Sequence, residues 1–581
     1  MRDLIIKKKM TLCSVLTLCA LLCQNQAAFA TSTTHEDAEL HFALGTILSL
    51  DGKTAQAIEQ YKLTQILDPK SVSPLLHLAN EYKTQGQFTL AMQACNDALK
   101  LAPQSSAARM IRAELYAITK QTEFALREYN QVLTDHPHYA EAMVYASEML
   151  LDQRQPAQVH SLIKNFLKDN PVTVATWYYQ GRAFAMQDQD QPATHAFSKA
   201  IELNPHFLQA FLARAELYEQ TEQYPLAEAD LRFLFDQTQD QQIGQHLAEI
   251  YLKQEKLSQA VQVLEFLKQA DPDDLNSLLT LGLTYATMKQ HAKAEICFKT
   301  ILSKTPDSDV THFYLANNLE EQERPNEAID EFAQIGLDST LFLEATQRQA
   351  RLLEATKQPE KAHLVLQKGE QAFPGELALY IIDAQILLHQ KKPEVAQALL
   401  EKALPRFVSE ESMHLMLANV YEKCGKNDQS TQQIEEALKI NPENPKALSL
   451  LSSALVAKNQ RLDDAERMLK KALHLTPNDA FVQNTWGYFL MQKGNFHQAI
   501  SALEKANQLL PKEPTILERL ADAYYQSNLF DQALAHYTQA QQNTTEASVK
   551  LKLAQKIEAL QQSLSLPKRS IASENTRSKS P

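Results

Sequence analysis

Positive charge is scarce in this 581-residue chain: 57 Lys and Arg stand against 70 Asp and Glu, a net charge of −13. A surface that binds nucleic acid needs the opposite balance to meet phosphate, so that class is excluded. Long apolar runs are missing too. The one candidate, Thr11–Leu22, is shorter than the ~18 residues of a spanning helix. Cysteines number six; Cys13, Cys19 and Cys23 lie in or beside that run, which leaves Cys95, Cys297 and Cys424. Three residues, far apart, make no disulfide framework and read as small buried side chains on helices. Catalytic spacings are absent: there is no Walker loop, H-E-x-x-H, G-x-S-x-G, EF-hand loop or paired C-x-x-C. His136-Pro137-His138, with only Asp135 near in sequence, reads as a solvated turn rather than a metal site. The expectation is a protein that is not an enzyme and carries no cofactor or metal.

What is present favours helix. Hydrophobic residues make up 44 %, aromatics only 7 %, and Ala, Leu and Gln abound. Residues 1–30 have the form of a signal peptide: Arg2 and Lys7-Lys8-Lys9, then the short apolar run, then Ala28-Phe29-Ala30. Cleavage before Thr31 takes the net charge to −16, because Arg2, Lys7, Lys8 and Lys9 leave with Asp3. The expected location is periplasmic or envelope-associated. Cys19 and Cys23 each follow a leucine, where a lipidated cysteine wants a small residue, so lipid anchoring is not favoured. Residues 31–37 read as a short linker.

Trp177–Pro205 holds the unit from which the rest is built. Trp177, Gly181 and Phe184 share one helical face; Ala193, Phe197 and Ala200 form a small-large-small stripe on a second helix, which Pro205 ends. This spacing resembles the tetratricopeptide repeat (TPR), a helix–turn–helix unit of 34 residues. Extended both ways, the frame gives fifteen repeats, the first starting at Ala38 and the last at Pro514. Pro69, Pro103, Pro137, Pro171 and Pro205 keep an exact step of 34; one residue is lost before Pro272 and one gained around Asn459–Asp464. Six prolines (Pro156, Pro192, Pro225, Pro325, Pro359, Pro393) fall where a second helix begins, a favourable first-turn position. A small residue recurs inside every first helix, Gly45, Gly181, Gly282 and Gly487 among them, where a second helix must approach closely. The expected fold is all-α: an α-solenoid of about fifteen TPR units in a right-handed superhelix. Gly336 suggests a joint between arrays 38–336 and 337–547; a capping helix at 548–566 and a basic disordered tail at 567–581 follow.

In the TPR family the first helices line a concave groove that holds a peptide or protein. The fifth position of the first helix here carries Phe42, Leu76, Met110, Val144, Tyr178, Leu212, Leu279, Phe313, Ile381 and Leu415, with polar residues interspersed and again after Leu415. With Arg182, these are the candidate partner-binding residues, either as an exposed apolar stripe or as ordinary packing. No lysine occurs on this ladder, so the clamp that some TPR proteins use on a terminal carboxylate is not expected. The runs Arg461–Ala465, Asn484–Tyr488 and Glu518–Asp522 resemble the C-terminal repeats of large envelope TPR proteins of Gram-negative bacteria. The resemblance implies a non-catalytic periplasmic scaffold or adaptor whose partners are an envelope protease and its substrates. A TPR component of an envelope polymer export or secretion complex is the alternative. Self-association is left open.

Overall fold

The structure is a computed structural model and describes residues 33–565. The expected signal peptide and basic tail lie outside those residues. Every regular element described is helical: 31 α-helices and one short 3-10 turn, Leu404–Arg406. Twelve of the fifteen first helices begin on the residue that the period predicts, and those of repeats two and ten fall within one residue of it. The first helix, Thr33–Leu50, starts earlier, so residues 33–37 are helical where a linker was expected.

The described chain divides into two compact units, one ending at Ser277 and the other beginning at Leu278. Gly336 lies within the second. Around it the pattern is irregular: the second helix of repeat nine is only Pro325–Phe332, and the Gly336 amide donates to Asp309 Oδ1 at 3.0 Å. Pro405, the one repeat-region proline off the frame, sits in the 3-10 turn that closes repeat eleven.

Each repeat is a helix hairpin held by a close approach. A Cβ added to Gly181 would lie 2.6 Å from the Phe197 ring, one on Gly45 2.7 Å from Tyr61, one on Gly282 2.7 Å from Phe298, and one on Gly487 2.5 Å from Leu503. The large partner stands sixteen residues after the glycine in all four, so one bulky residue fills the space that one glycine leaves. Gly181→Ala is expected to cost about 1–3 kcal/mol, because Phe197 is buried and cannot swing aside. Hydrogen exchange should show the loss as faster opening of Val174–Leu203; unchanged exchange there would contradict this packing.

The hairpin turn needs a residue in the left-handed region. Glycine supplies it only at Gly52, Gly86, Gly425 and Gly494. Elsewhere the same turn uses Lys120, Arg154, Asp188, Glu222, Glu255, Lys289, Glu323, Lys357, Lys391 or Asn528, all at positive φ. A side chain there carries some strain, which the repeated packing on both sides overrides.

Polar fasteners recur at the joints. Arg112 donates to Asn96 Oδ1 (2.9 Å), sixteen residues back, and to Glu128 (2.6 Å), sixteen on. Arg214 repeats this with Ser198 and Asp230. Three histidines three positions earlier in their own repeats do a similar job: His41 meets Gln60 (2.7 Å), His312 meets Glu331 (2.6 Å) and His414 meets Gln433 (2.7 Å). At the C-terminal end, helix Ala547–Ser565 buries Leu553 and Leu560 against Leu517, Leu520 and Tyr537, covering the apolar face that the last repeat would otherwise expose.

Candidate functional site

The fifth-position ladder is mostly part of the packing. Met110 and Phe313 are 5 % and 6 % exposed: of the two alternatives, exposed stripe or ordinary packing, these two are packing. Phe313 packs 5.8 Å from the Phe332 ring. The other candidates are half-buried. Phe42 lies between Tyr61 and His77, at 5.8 and 5.1 Å, and shares a core with Leu76. Val144 and Tyr178 pack on one core and Leu212 on the next. Tyr178 also meets the rings of Phe197 and Phe207, at 6.1 and 5.1 Å. Arg182 stands over Tyr178 at 5.9 Å, and burial raises the Tyr178 hydroxyl pKa above its ordinary value. Leu279 is half-buried near the start of the second unit. Helix geometry explains this: a fifth-position side chain points between its own second helix and the next first helix, and a large one is covered by both.

Two ladder residues are brought together at an open site. Ile381 and Leu415, 34 residues apart, line a groove of about 380 Å³ within the second unit. Leu450 continues the apolar floor. Gln385 and Asn419 stand one helical turn beyond Ile381 and Leu415, again 34 apart, and both are exposed. Ser412, Glu422 and Lys446 complete the polar rim. An apolar floor with amide side chains in register can hold the side chains of an extended segment and hydrogen-bond its backbone. The sequence reading missed Gln385 and Asn419. The signal was available: they are the ninth residues of their first helices, four after the ladder position, and so on the same face.

The expected metal-free reading of His136-Pro137-His138 meets a simple geometry. His136 Nε2 faces the Gln104 carbonyl at 3.3 Å and His138 Nδ1 faces Asn170 Oδ1 at 2.8 Å, so the two rings serve different neighbours. Among the described residues, no group of three or more His, Cys, Asp or Glu is placed to hold a metal. Cys95, Cys297 and Cys424 form no disulfide, and burial pushes the Cys95 thiol up to about 12. No helix among the described residues is long and apolar enough to cross a membrane.

Comparison with known proteins agrees with the repeat. Tetratricopeptide repeat families match residues 72–105, 275–307, 415–480 and 490–556. A TPR repeat-containing protein of Pseudomonas aeruginosa is 25 % identical over 204 residues, which is 35 % of this chain and 34 % of that protein. A general transcriptional corepressor of Schizosaccharomyces pombe is 31 % identical over 137 residues, 23 % of this chain and 12 % of the relative. The match therefore spans about a third of the first relative and about an eighth of the second. A tetratricopeptide repeat protein from Parabacteroides merdae shares 19 % identity and a TM-score of 0.34, covering 43 % of this chain and 99 % of its own. With family matches in both compact units and one period running through the helices between them, the chain carries tetratricopeptide repeats and is an all-α solenoid.

Proposed function

We propose that this protein is a non-catalytic scaffold of the bacterial periplasm that holds extended segments of partner proteins on the first-helix face of its second unit. The observation that carries the reading is the groove at Ile381 and Leu415. Its apolar floor and its two amide side chains repeat at the same 34-residue step, which suits a chain running across successive repeats. The N-terminal charge and apolar pattern supports export, and the C-terminal motifs resemble envelope adaptors that bring a protease to its substrates. An adaptor of that kind has to hold a partner without consuming it, which an open groove with no catalytic spacing in the sequence suits.

The test is photocrosslinking in intact cells. A crosslinking residue at Gln385 or Asn419 is expected to capture discrete partner proteins. The same residue at Ile296 or Leu364, exposed on second helices of the same unit, is expected to capture none of them. Equal capture at all four positions, or none at the first two, would sink the groove reading. Release of the protein by osmotic shock, with residues 1–30 removed, is the result expected for a periplasmic location.

A further inference from the structure

The rim charges of the groove at Ile381 and Leu415 depart from the pattern of the array. A glutamate at the twelfth position of a first helix is met elsewhere by a cation on the next repeat, at its sixth or thirteenth position. Glu219 pairs with His246 and Lys253, both at 2.5 Å, Glu320 with Arg348 at 3.4 Å, and Glu354 with His389 at 2.6 Å. Repeat twelve has Glu422 at this position, and there the next repeat offers Leu450 and Ala457 instead. Leu450 goes to the groove floor. Lys458, one residue past Ala457, is taken by Asp428 at 2.7 Å. Lys446, the other charge lining the groove, is the second residue of helix Pro445–Ala457. No other repeat has a cation at that position. A lysine in a first turn faces the positive end of the helix dipole, which disfavours it. Both side chains are exposed, and among the described residues neither has a side-chain hydrogen bond or an ion pair.

One apolar floor is therefore flanked by two unpaired charges of opposite sign. Lys446 stands at the second position of its helix and Glu422 at the twelfth of its own, with Leu415 and Leu450 at positions between. Ten positions of helical rise set the two charges about 15 Å apart along the helix direction. About four or five residues of extended chain cover that distance. We propose that the groove selects a dipolar segment of a partner protein. Such a segment carries an acidic side chain near Lys446, apolar side chains on Leu415 and Leu450, and a basic side chain near Glu422. The acid also answers the positive end of the helix dipole beside Lys446. A segment with the same charge at both ends is attracted at one end and repelled at the other. Because Lys446 and Glu422 belong to successive repeats, the bound segment crosses from one repeat to the next as it runs between them. The proposal rests on the reading of this groove as the site that holds partner segments, and adds which segments it holds.

Four pools of immobilised peptides test it, each peptide acetylated at the N-terminus and amidated at the C-terminus. Two fixed residues stand about five positions apart, with randomised apolar residues between them. The fixed pair is Glu and Lys in either order, two Gln, two Glu or two Lys. The Glu–Lys pool is expected to retain the full mature chain about tenfold more than the Gln pool, roughly threefold from each end, the scale of exposed ion pairs. That advantage should shrink as salt is raised. The two same-charge pools should stay near the Gln pool. Lys446→Glu is expected to move the preference to the Lys pool, and Glu422→Lys to the Glu pool. A changed preference, unlike a loss of binding, does not come from misfolding. Equal retention by the Glu–Lys and Gln pools overturns the charge selection and leaves the groove reading intact. Retention by no pool overturns both. A Glu–Lys preference that persists in both variants, or a preference of the unaltered chain for a same-charge pool, overturns the proposal. The ratios for the unaltered protein require no variant.

Discussion

Replacing Arg214 with methionine is expected to cost about 3–5 kcal/mol of local stability in repeat six, the usual consequence of removing one partner of a buried ion pair. Arg214 Nε and Nη2 donate to the two oxygens of Asp230 at 2.8 and 2.7 Å, and Nη1 donates to Ser198 Oγ at 2.8 Å. Asp230 is 5 % exposed, so without its partner the carboxylate is left desolvated. The pair is also a joint: one guanidinium ties the second helix of repeat five, Asp190–Leu203, to that of repeat six, Tyr224–Thr238. Hydrogen exchange should show faster opening of Leu208–Thr238, with distant repeats little changed, since a repeat array couples mainly through neighbours.

The companion experiment separates charge from packing. Adding Asp230→Leu to Arg214→Met is expected to recover most of the loss, because a well-packed apolar pair can replace a buried ionic one. The same fold already uses that solution: where repeat six has Arg214, repeats seven, eight and nine have Leu247, Leu281 and Leu315, all buried. If the double variant opens as readily as the single one, the arginine acts through shape rather than charge. Arg214 also stands 5.7 Å over the Phe211 ring and 5.8 Å over Tyr218, and that packing is the part methionine can retain.

The stability of the second unit is expected to carry a pH dependence centred on Glu370. Asp383 occupies the joint position at which repeat twelve has Leu417, and it is fully buried. His363 Nδ1 lies 2.6 and 2.8 Å from its two oxygens. Glu370, 8 % exposed, is buried under the influence of the same carboxylate and leaves its own Oε1 without a hydrogen-bond partner. Burial, then the charge of Asp383, pushes the Glu370 carboxyl up to about 8; Lys402 only partly opposes them. Burial raises Asp383 as well. Because the folded value lies above the ordinary 4.5, folding favours the protonated acid. The contribution is fully present below pH 4.5, declines as pH rises, and is exhausted once the pH passes the folded value.

Glu370→Gln supplies the control. A glutamine N–H can donate to Asp383 as a protonated glutamate can, but it does not titrate. The variant should match the unaltered protein near pH 4.5 and exceed it at pH 8, by an amount on the order of a few kcal/mol. Urea unfolding followed by exchange in Pro359–His389 across that range measures the difference. Comparison with the variant removes the acid-side losses shared by every other ion pair. Parallel curves at all pH values would show that Glu370 is ionised throughout and that the joint is held in another way.

These joints mark the limit of what the sequence reveals. The period, the helix starts and the capping helix were legible because their causes are local. A proline ends a helix wherever it falls, and Gly181 faces Phe197 only sixteen residues away, so each hairpin is written in one short stretch. The Arg112 and Arg214 fasteners were legible in principle, since both place acceptors sixteen residues before and after the arginine. The ladder was not. Met110 and Leu415 hold the same position in their repeats, yet the first is core and the second lines a groove.

By itself, then, the sequence determined the helix hairpin, its repetition and the close approach of each pair. All three depend on neighbours within one 34-residue period. The tertiary structure alone decided which side chains remain reachable and which charges find partners. How far Ile381 and Leu415 are covered depends on how the next repeat packs against them. The pairing of Glu518 and Asp522 depends on Lys556, supplied by a helix that begins well after them. Side-chain area and charge compensation are settled by contacts between repeats, and a periodic sequence repeats the framework of those contacts without stating their outcome.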